Sequence, residues 1–250
     1  MNYRMIVQYD GTRYEGWQRQ TRTAETVQGK LEAAVLAASG EAAQVIGAGR
    51  TDAGVHAEGQ TANFHLKAPQ DAEALEARID EALPDDIGVF ALREAEERFH
   101  SRFSAVEKTY RYRIRTGTEK KVFERRFVWQ YGKPLDVPAM ERAAALLTGT
   151  HDFTSFCANK KLKKSAVRTL SVICLHEEDG ELVISYTGSG FLQGMARILT
   201  GTLVEVGEGK RPAEDMTRVL AAKDRQAAGF TAPPQGLVLA SVSYGEEIAF

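Results

Sequence analysis

Apolar residues recur along this chain at two periods, every second position in some stretches and every third or fourth in others. The switches between the periods lay out its elements. "YRMIVQYDG" reads as a strand, and Val27, Leu31, Ala34, Val35 and Ala38 then recur at helical spacing. "AQVIGAG" and "QTANFHL" read as strands flanking a glycine-dense loop, "GAGRTDAGVHAEGQ", at residues 47–60. Leu75, Ile79 and Leu83 mark a second helix that Pro84 ends, and "IGVFALREAEE" is a further strand. The second half follows the same style. The strand "KTYRYRIRTG" is followed by a strand near Phe127 to Tyr131 and by a helix after Pro138 through Leu147. "VRTLSVICLHEEDGELVISYTGSG" predicts a hairpin turning at Asp179-Gly180. Helices follow over about Phe191 to Val206 and Pro212 to Ala222, and "GLVLASVSYG" closes as a strand. Strands followed by helices in both halves predict an α+β protein of two halves, 1–105 and 106–250, with antiparallel sheet.

Composition changes this picture little: 43% of the 250 residues are hydrophobic and 26% charged, ordinary globular values. No apolar stretch approaches a membrane span, and the first residues enter a strand pattern without a signal-peptide core, so the expected location is the cytoplasm, with no membrane partner. Cys157 and Cys174 lack a C-x-x-C partner and are expected as reduced, packed thiols. The five histidines are scattered without metal-ligand spacing, so no metal is expected.

Charge changes it more. The formal net charge is −2, yet residues 98–126 hold ten basic against three acidic side chains, while residues 66–97 hold three basic against ten acidic. Such segregation predicts a positive face of the kind on which phosphates dock. A second basic stretch, "NKKLKKSAVR", carries Lys160, Lys161, Lys163, Lys164 and Arg168 with no acid. Either run alone reads as a solvated loop; two together, one interleaved with aromatics as "KTYRYRIR", point to nucleic acid.

Three places hold candidate chemistry. Arg50 and Asp52 stand among Gly47, Gly49, Gly54 and Gly59, which suits either a tight turn or a loop that a large ligand approaches closely. On the expected helix from Phe191, the residues Met195, Ile198, Leu199, Thr202 and Leu203 form the buried stripe and Arg197 falls opposite it. Gly194 and Gly201 share its face, so that face either meets a close neighbour or lies open to solvent. Tyr110 and Tyr112 alternate with Arg111 and Arg113, placing the tyrosines on one face of a strand to stack or pack and the arginines on the other, expected to meet phosphate. Tyr112 reads as core, and Tyr110 suits a platform for a base near a positive groove. Nucleotide-binding and hydrolase motifs are missing: there is no phosphate-binding P-loop and no dinucleotide fingerprint, and "TGSGF" lacks the spacing of a nucleophile elbow.

"YDGTRYEGWQRQ", "GRTDAGVHA", "RFSAVEKTYRYRI", "HDFTSF", "GFLQGMARILTGTL" and "AAKDRQAAGFTAPPQGLVL", in that order, resemble the tRNA pseudouridine synthase A family over essentially the whole chain. The resemblance implies the pseudouridine synthase fold: two ferredoxin- or RRM-like α+β halves sharing a largely antiparallel sheet, with helices on one side and a central RNA-binding cleft. It implies isomerisation of uridine to pseudouridine at positions 38, 39 and 40 in the anticodon stem-loop of tRNA, with no metal or other cofactor, by a homodimer. By the same resemblance Asp52 matches the catalytic aspartate, acting as nucleophile or base. Arg197 orients it and keeps it ionised, and Tyr110 stacks on uracil and is a candidate acceptor of the C5 proton. Arg50, Arg102, Lys160, Lys161, Lys163, Lys164 and Arg168, with Tyr110, are the expected substrate-binding residues. The chain departs from the family at Gly194, where members commonly carry His before the Met. The alternative is a non-catalytic tRNA-binding or remodelling protein of the same fold, against which the retained Asp52 argues: a carboxylate repels a phosphate-rich ligand and serves a binder nothing.

Overall fold

The computed structural model describes residues 1–161 and 164–245, so Lys163 lies outside the described residues. In chain order the elements are β1 (Asn2–Tyr9), α1 (Val27–Ser39), β2 (Ile46–Gly47), β3 (His56–His65), α2 (Ala72–Ala82), β4 (Ile87–Ala95), β5 (Glu107–Arg115), β6 (Trp129–Gln130), α3 (Val137–Leu147), β7 (Gly149–Asp152), β8 (Val167–Glu178), β9 (Glu181–Gly188), α4 (Met195–Gly207), α5 (Asp215–Ala222) and β10 (Leu237–Ser243). Local chemistry sets many of the boundaries. Thr26, Asp71 and Asp136 cap the first three helices by accepting amide hydrogen bonds from Gly29, Ala74 and Ala139. The β8–β9 hairpin turns at Asp179 and Gly180, whose φ values of 48° and 72° suit a two-residue primed turn.

The chain divides into two compact units, Met1–Val106 with the chain from Val238 onward, and Glu107–Leu237. Residues 238–245, which the sequence assigned to the second half, therefore pack with the first. There β10 runs parallel to β3 through Val238 and Leu239 opposite His56 and Ala57. In the first unit β1 lies antiparallel between β4 and β3, and β2 adds a short antiparallel pair to β3. Its core includes Tyr3, Phe64, Leu31, Leu75 and Ile79, all fully buried. Burial of each aliphatic side chain stabilises the fold by about 1.5–3 kcal/mol. The second unit orders its antiparallel strands β5-β9-β8-β7, with β6 parallel to β5. Tyr112, Ile114, Met140, Ile184, Tyr186 and Leu203 lie at the centre of that unit's core. Both units are α+β with largely antiparallel sheet, as the hydrophobic periods predict.

Three expected elements differ. Strands expected over residues 43–49 and 127–131 shrink to the two-residue β2 and β6. The helix expected from Phe191 begins at Met195, because Gly194 takes φ 70° and breaks the right-handed turn before it. Eleven of the thirteen residues of α4 are buried, so the helix is interior rather than amphipathic.

Candidate active site

Asp52 lies in the connection from β2 to β3, half-buried, between buried Thr51 and exposed Ala53. The turn closes through the Val55 amide, which donates to the Asp52 carbonyl at 3.2 Å, and Gly54 takes φ 75°. The segment from Tyr9 to Trp17 braces this turn. The Trp17 amide donates to the Thr51 carbonyl at 3.1 Å, and the Gly54 amide to the Tyr14 carbonyl at 3.3 Å. Tyr9 and Thr51 share a buried hydroxyl hydrogen bond of 2.8 Å, and the Gly11 amide donates to Nδ1 of buried His56 at 3.0 Å. Burial pushes the Tyr9 phenol well above its ordinary value, so it stays a neutral partner to Thr51.

Glycine makes this contact close enough. A Cβ on Gly16, whose φ is 93°, would lie 2.7 Å from the Thr51 carbonyl oxygen, and one on Gly47 would lie 2.5 Å from the Trp17 ring. The glycines around Asp52 thus admit the protein's own backbone and indole. A second brace stands behind the turn, where the Tyr14 hydroxyl donates to the Asp86 carboxylate at 2.5 Å and Arg13 pairs with the same carboxylate. Burial first, then Asp86, pushes the Tyr14 phenol up to about 12, which keeps it a donor. Arg50, two residues before Asp52, is exposed.

In the second unit, the alternation along β5 holds: Tyr110 and Tyr112 are both buried. Tyr110 stands opposite Tyr186 on β9, and its ring meets Phe191 edge-on at 4.8 Å. Tyr112 is core, as expected, and donates its hydroxyl to the Pro233 carbonyl at 2.7 Å. Burial raises its phenol far above the ordinary range, with the nearby positive charge of Arg197 opposing. Arg197 projects from the first turn of α4, where its Nε donates to the Ala232 carbonyl at 2.7 Å and its own carbonyl accepts the Ala232 amide at 3.0 Å. The strap continues beside it. The Gly229 amide donates to Thr202, and a Cβ on Gly201 would fall 2.0 Å from the Phe230 carbonyl oxygen. Of the two readings of the Arg197 face, the close neighbour is the one found, and it is the chain's own segment 229–233.

The basic residues divide into those held and those displayed. Arg113 does not face outward for phosphate: it pairs with Glu181 at 2.9 Å and Glu124 at 3.1 Å, and Lys121 lies beside both. Arg115 is buried and donates to the Asp179 carbonyl in the hairpin turn. Arg102, Lys160, Lys161 and Lys164 are exposed, and Arg168 is half-buried on β8 with its guanidinium on the Ser165 and Val167 carbonyls. Sequence reasoning passed over Tyr9, Tyr14, Trp17 and Ala232, which hold Asp52 and Arg197 in place. Their signal was membership in "YDGTRYEGWQRQ" and "AAGFTAPPQGLVL", stretches that make sense only as the partners of other stretches. Among the described residues no cluster of His, Cys, Asp and Glu forms a metal site, and no helix is long and apolar enough to cross a membrane.

A family model described as tRNA pseudouridine synthase matches residues 5–104 and 143–245. The chain is 44% identical to tRNA pseudouridine synthase A of Halalkalibacterium halodurans, over 93% of this chain and 88% of the relative. It is 44% identical to the protein of that name from Geobacillus sp. (strain WCH70), over 94% and 95%. With tRNA pseudouridine synthase A 1 of Clostridium tetani it shares 41% identity over 97% and 99%. The braced Asp52 turn and the strapped Arg197 helix both fall within the matched segments, and this chain belongs to the tRNA pseudouridine synthase family.

Proposed function

We propose that this tRNA isomerase converts uridine to pseudouridine at positions 38, 39 and 40 of the anticodon stem-loop, as a cytoplasmic homodimer whose two α+β halves both contribute to catalysis. The reaction breaks the C1′–N1 bond, turns the base and joins C5 to C1′; the proton lost from C5 is balanced by one gained at N1, so no oxidant or reductant is required. The uridine must leave its stack to be reached. Asp52, ionised, attacks C1′, attacks the base or takes a ribose proton, and all three routes need a charged carboxylate held at a fixed place. The observation that carries the reading is the Asp52 turn itself, half-buried and fastened through Thr51, Gly54 and Val55. A group positioned before its substrate arrives loses little energy to reorganisation as charge develops.

The remaining roles are proposed from the family pattern. A guanidinium such as that of Arg197 favours the anionic form of Asp52 and orients it through its planar fork. Tyr110 stacks on uracil and receives the C5 proton, Arg50 meets phosphate or fills the space of the extruded base, and Arg102, Lys160, Lys161, Lys163, Lys164 and Arg168 hold the RNA backbone. The test is sequencing, after pseudouridine-specific chemical labelling, of a tRNA transcript incubated with the purified protein. Label at positions 38 to 40 supports the reading. Label elsewhere in the tRNA refutes the positions, and absence of label refutes the activity.

A further inference from the structure

The segment after β5, "TEKKVFERRF" at residues 118–127, supplies none of the site residues named above, and its side chains sort by chemistry. Its acid Glu124 is drawn inward to Arg113 and Lys121. What remains outside is basic and aromatic: Lys120, Arg125 and Arg126 are exposed, with Glu119 the one exposed acid beside them. A short 3₁₀ turn over Val122–Glu124 lifts Phe123 to 95% exposure and Val122 to 58%, and Phe127 at 41% lies beyond. Arg125 fastens this turn, its amide and its guanidinium both donating to the Val122 carbonyl.

A single exposed apolar side chain is ordinary. An almost fully exposed phenylalanine on a fastened turn, flanked by cations and with the neighbouring carboxylate turned away, is a different arrangement. It is the pairing of π-face and positive charge that single-stranded nucleic acid recognises, because every base stacks and every phosphate is anionic. We propose that the 118–127 turn is an RNA-binding element, in which Phe123 stacks on an unpaired nucleotide of the tRNA while Lys120 and Arg125 meet the flanking phosphates. The proposal rests on tRNA being the substrate, and it adds a contact that neither the Asp52 loop nor the lysine stretch supplies.

Three substitutions at Phe123 separate this from other occupants. At 95% exposure none of them disturbs packing in the folded chain. Phe123→Ala removes the ring, Phe123→Leu keeps apolar area without a π-face, and Phe123→Tyr keeps the ring. Filter binding of an unmodified tRNA transcript is expected to show Kd raised about 5- to 100-fold for Ala and Leu and restored for Tyr. Lys120→Ala with Arg125→Ala should lower the slope of log K against log salt by about one unit for each phosphate that is no longer neutralised. Sedimentation velocity without RNA should be unchanged for all of them. Unchanged Kd in Phe123→Ala, or Leu binding as well as Phe, overturns the stacking proposal. A shift toward smaller species in Phe123→Ala overturns it in favour of an interface between copies of the chain. Binding decides these outcomes without reference to turnover, so a protein that binds tRNA through Phe123 but produces no pseudouridine would count against the proposed activity and not against this RNA-binding turn.

Discussion

The loop that carries Asp52 and the loop that carries Lys160 and Lys161 are both irregular connections rich in polar residues, and they are held in opposite ways. Around Asp52, amide hydrogen bonds join the turn to Tyr14, Trp17 and itself, and Thr51 is buried against Tyr9. Around the lysines, the Ala158 amide reaches the Gln193 carbonyl and the Lys161 amide reaches the Asn159 side chain, and the lysines point to water. The difference matches the role proposed for each loop. Breaking and remaking a glycosidic bond needs a carboxylate at a set distance and angle, whereas a phosphate contact needs only a charge that can follow its partner.

The sharpest break of that comparison is Asp52→Asn, which keeps the side chain's size. Tritium release from C5-labelled uridine in tRNA should fall to background, while filter binding stays at or slightly above the parent because a negative charge has gone. Next is Gly16→Ala, which forces a side chain into a φ of 93° and against the Thr51 carbonyl. Urea unfolding should show a loss of about 1–3 kcal/mol from the strain, and turnover should fall further than tRNA affinity because the Asp52 turn is displaced. Gly201→Leu follows, with a loss of about 1–3 kcal/mol on the same assay, because the new side chain meets the Phe230 backbone despite its better helix propensity. The smallest effect belongs to the lysine loop. Changing Lys160, Lys161 and Lys164 together to Ala should flatten the salt dependence of tRNA binding and leave the unfolding midpoint within experimental scatter.

Much of the fold was legible because its signals are local. The alternation of Tyr110, Tyr112 and Ile114 fixed which face of β5 is core, and Asp179-Gly180 placed the hairpin turn within two residues. The misreadings are the long-range ones. Arg113 looked free for phosphate in "KTYRYRIR", but its partner Glu181 lies 68 residues away on the paired strand. The helix from Phe191 looked amphipathic because the strap over Arg197 comes from residues 229–233, and its start was misplaced because apolar Phe191 and Leu192 extend the helical period past Gly194. Likewise the glycines around Asp52 suited a tight turn or a ligand's approach equally well, since nothing near them in the chain reveals that the Trp17 indole packs against Gly47. The motif alone singled out Asp52 as a candidate; the contacts that hold its turn were not legible, because they join two motifs.

Catalysis of the kind proposed requires the Asp52 loop to be set before RNA arrives, and native-state amide hydrogen exchange of the free protein measures that directly. The amides of Trp17, Ala48 and Val55, which donate to the Thr51, Thr61 and Asp52 carbonyls, are predicted to exchange orders of magnitude more slowly than those of Lys160 and Lys161. Exchange at Trp17, Ala48 and Val55 as fast as at the two lysines, with protection gained only on adding tRNA, would contradict it.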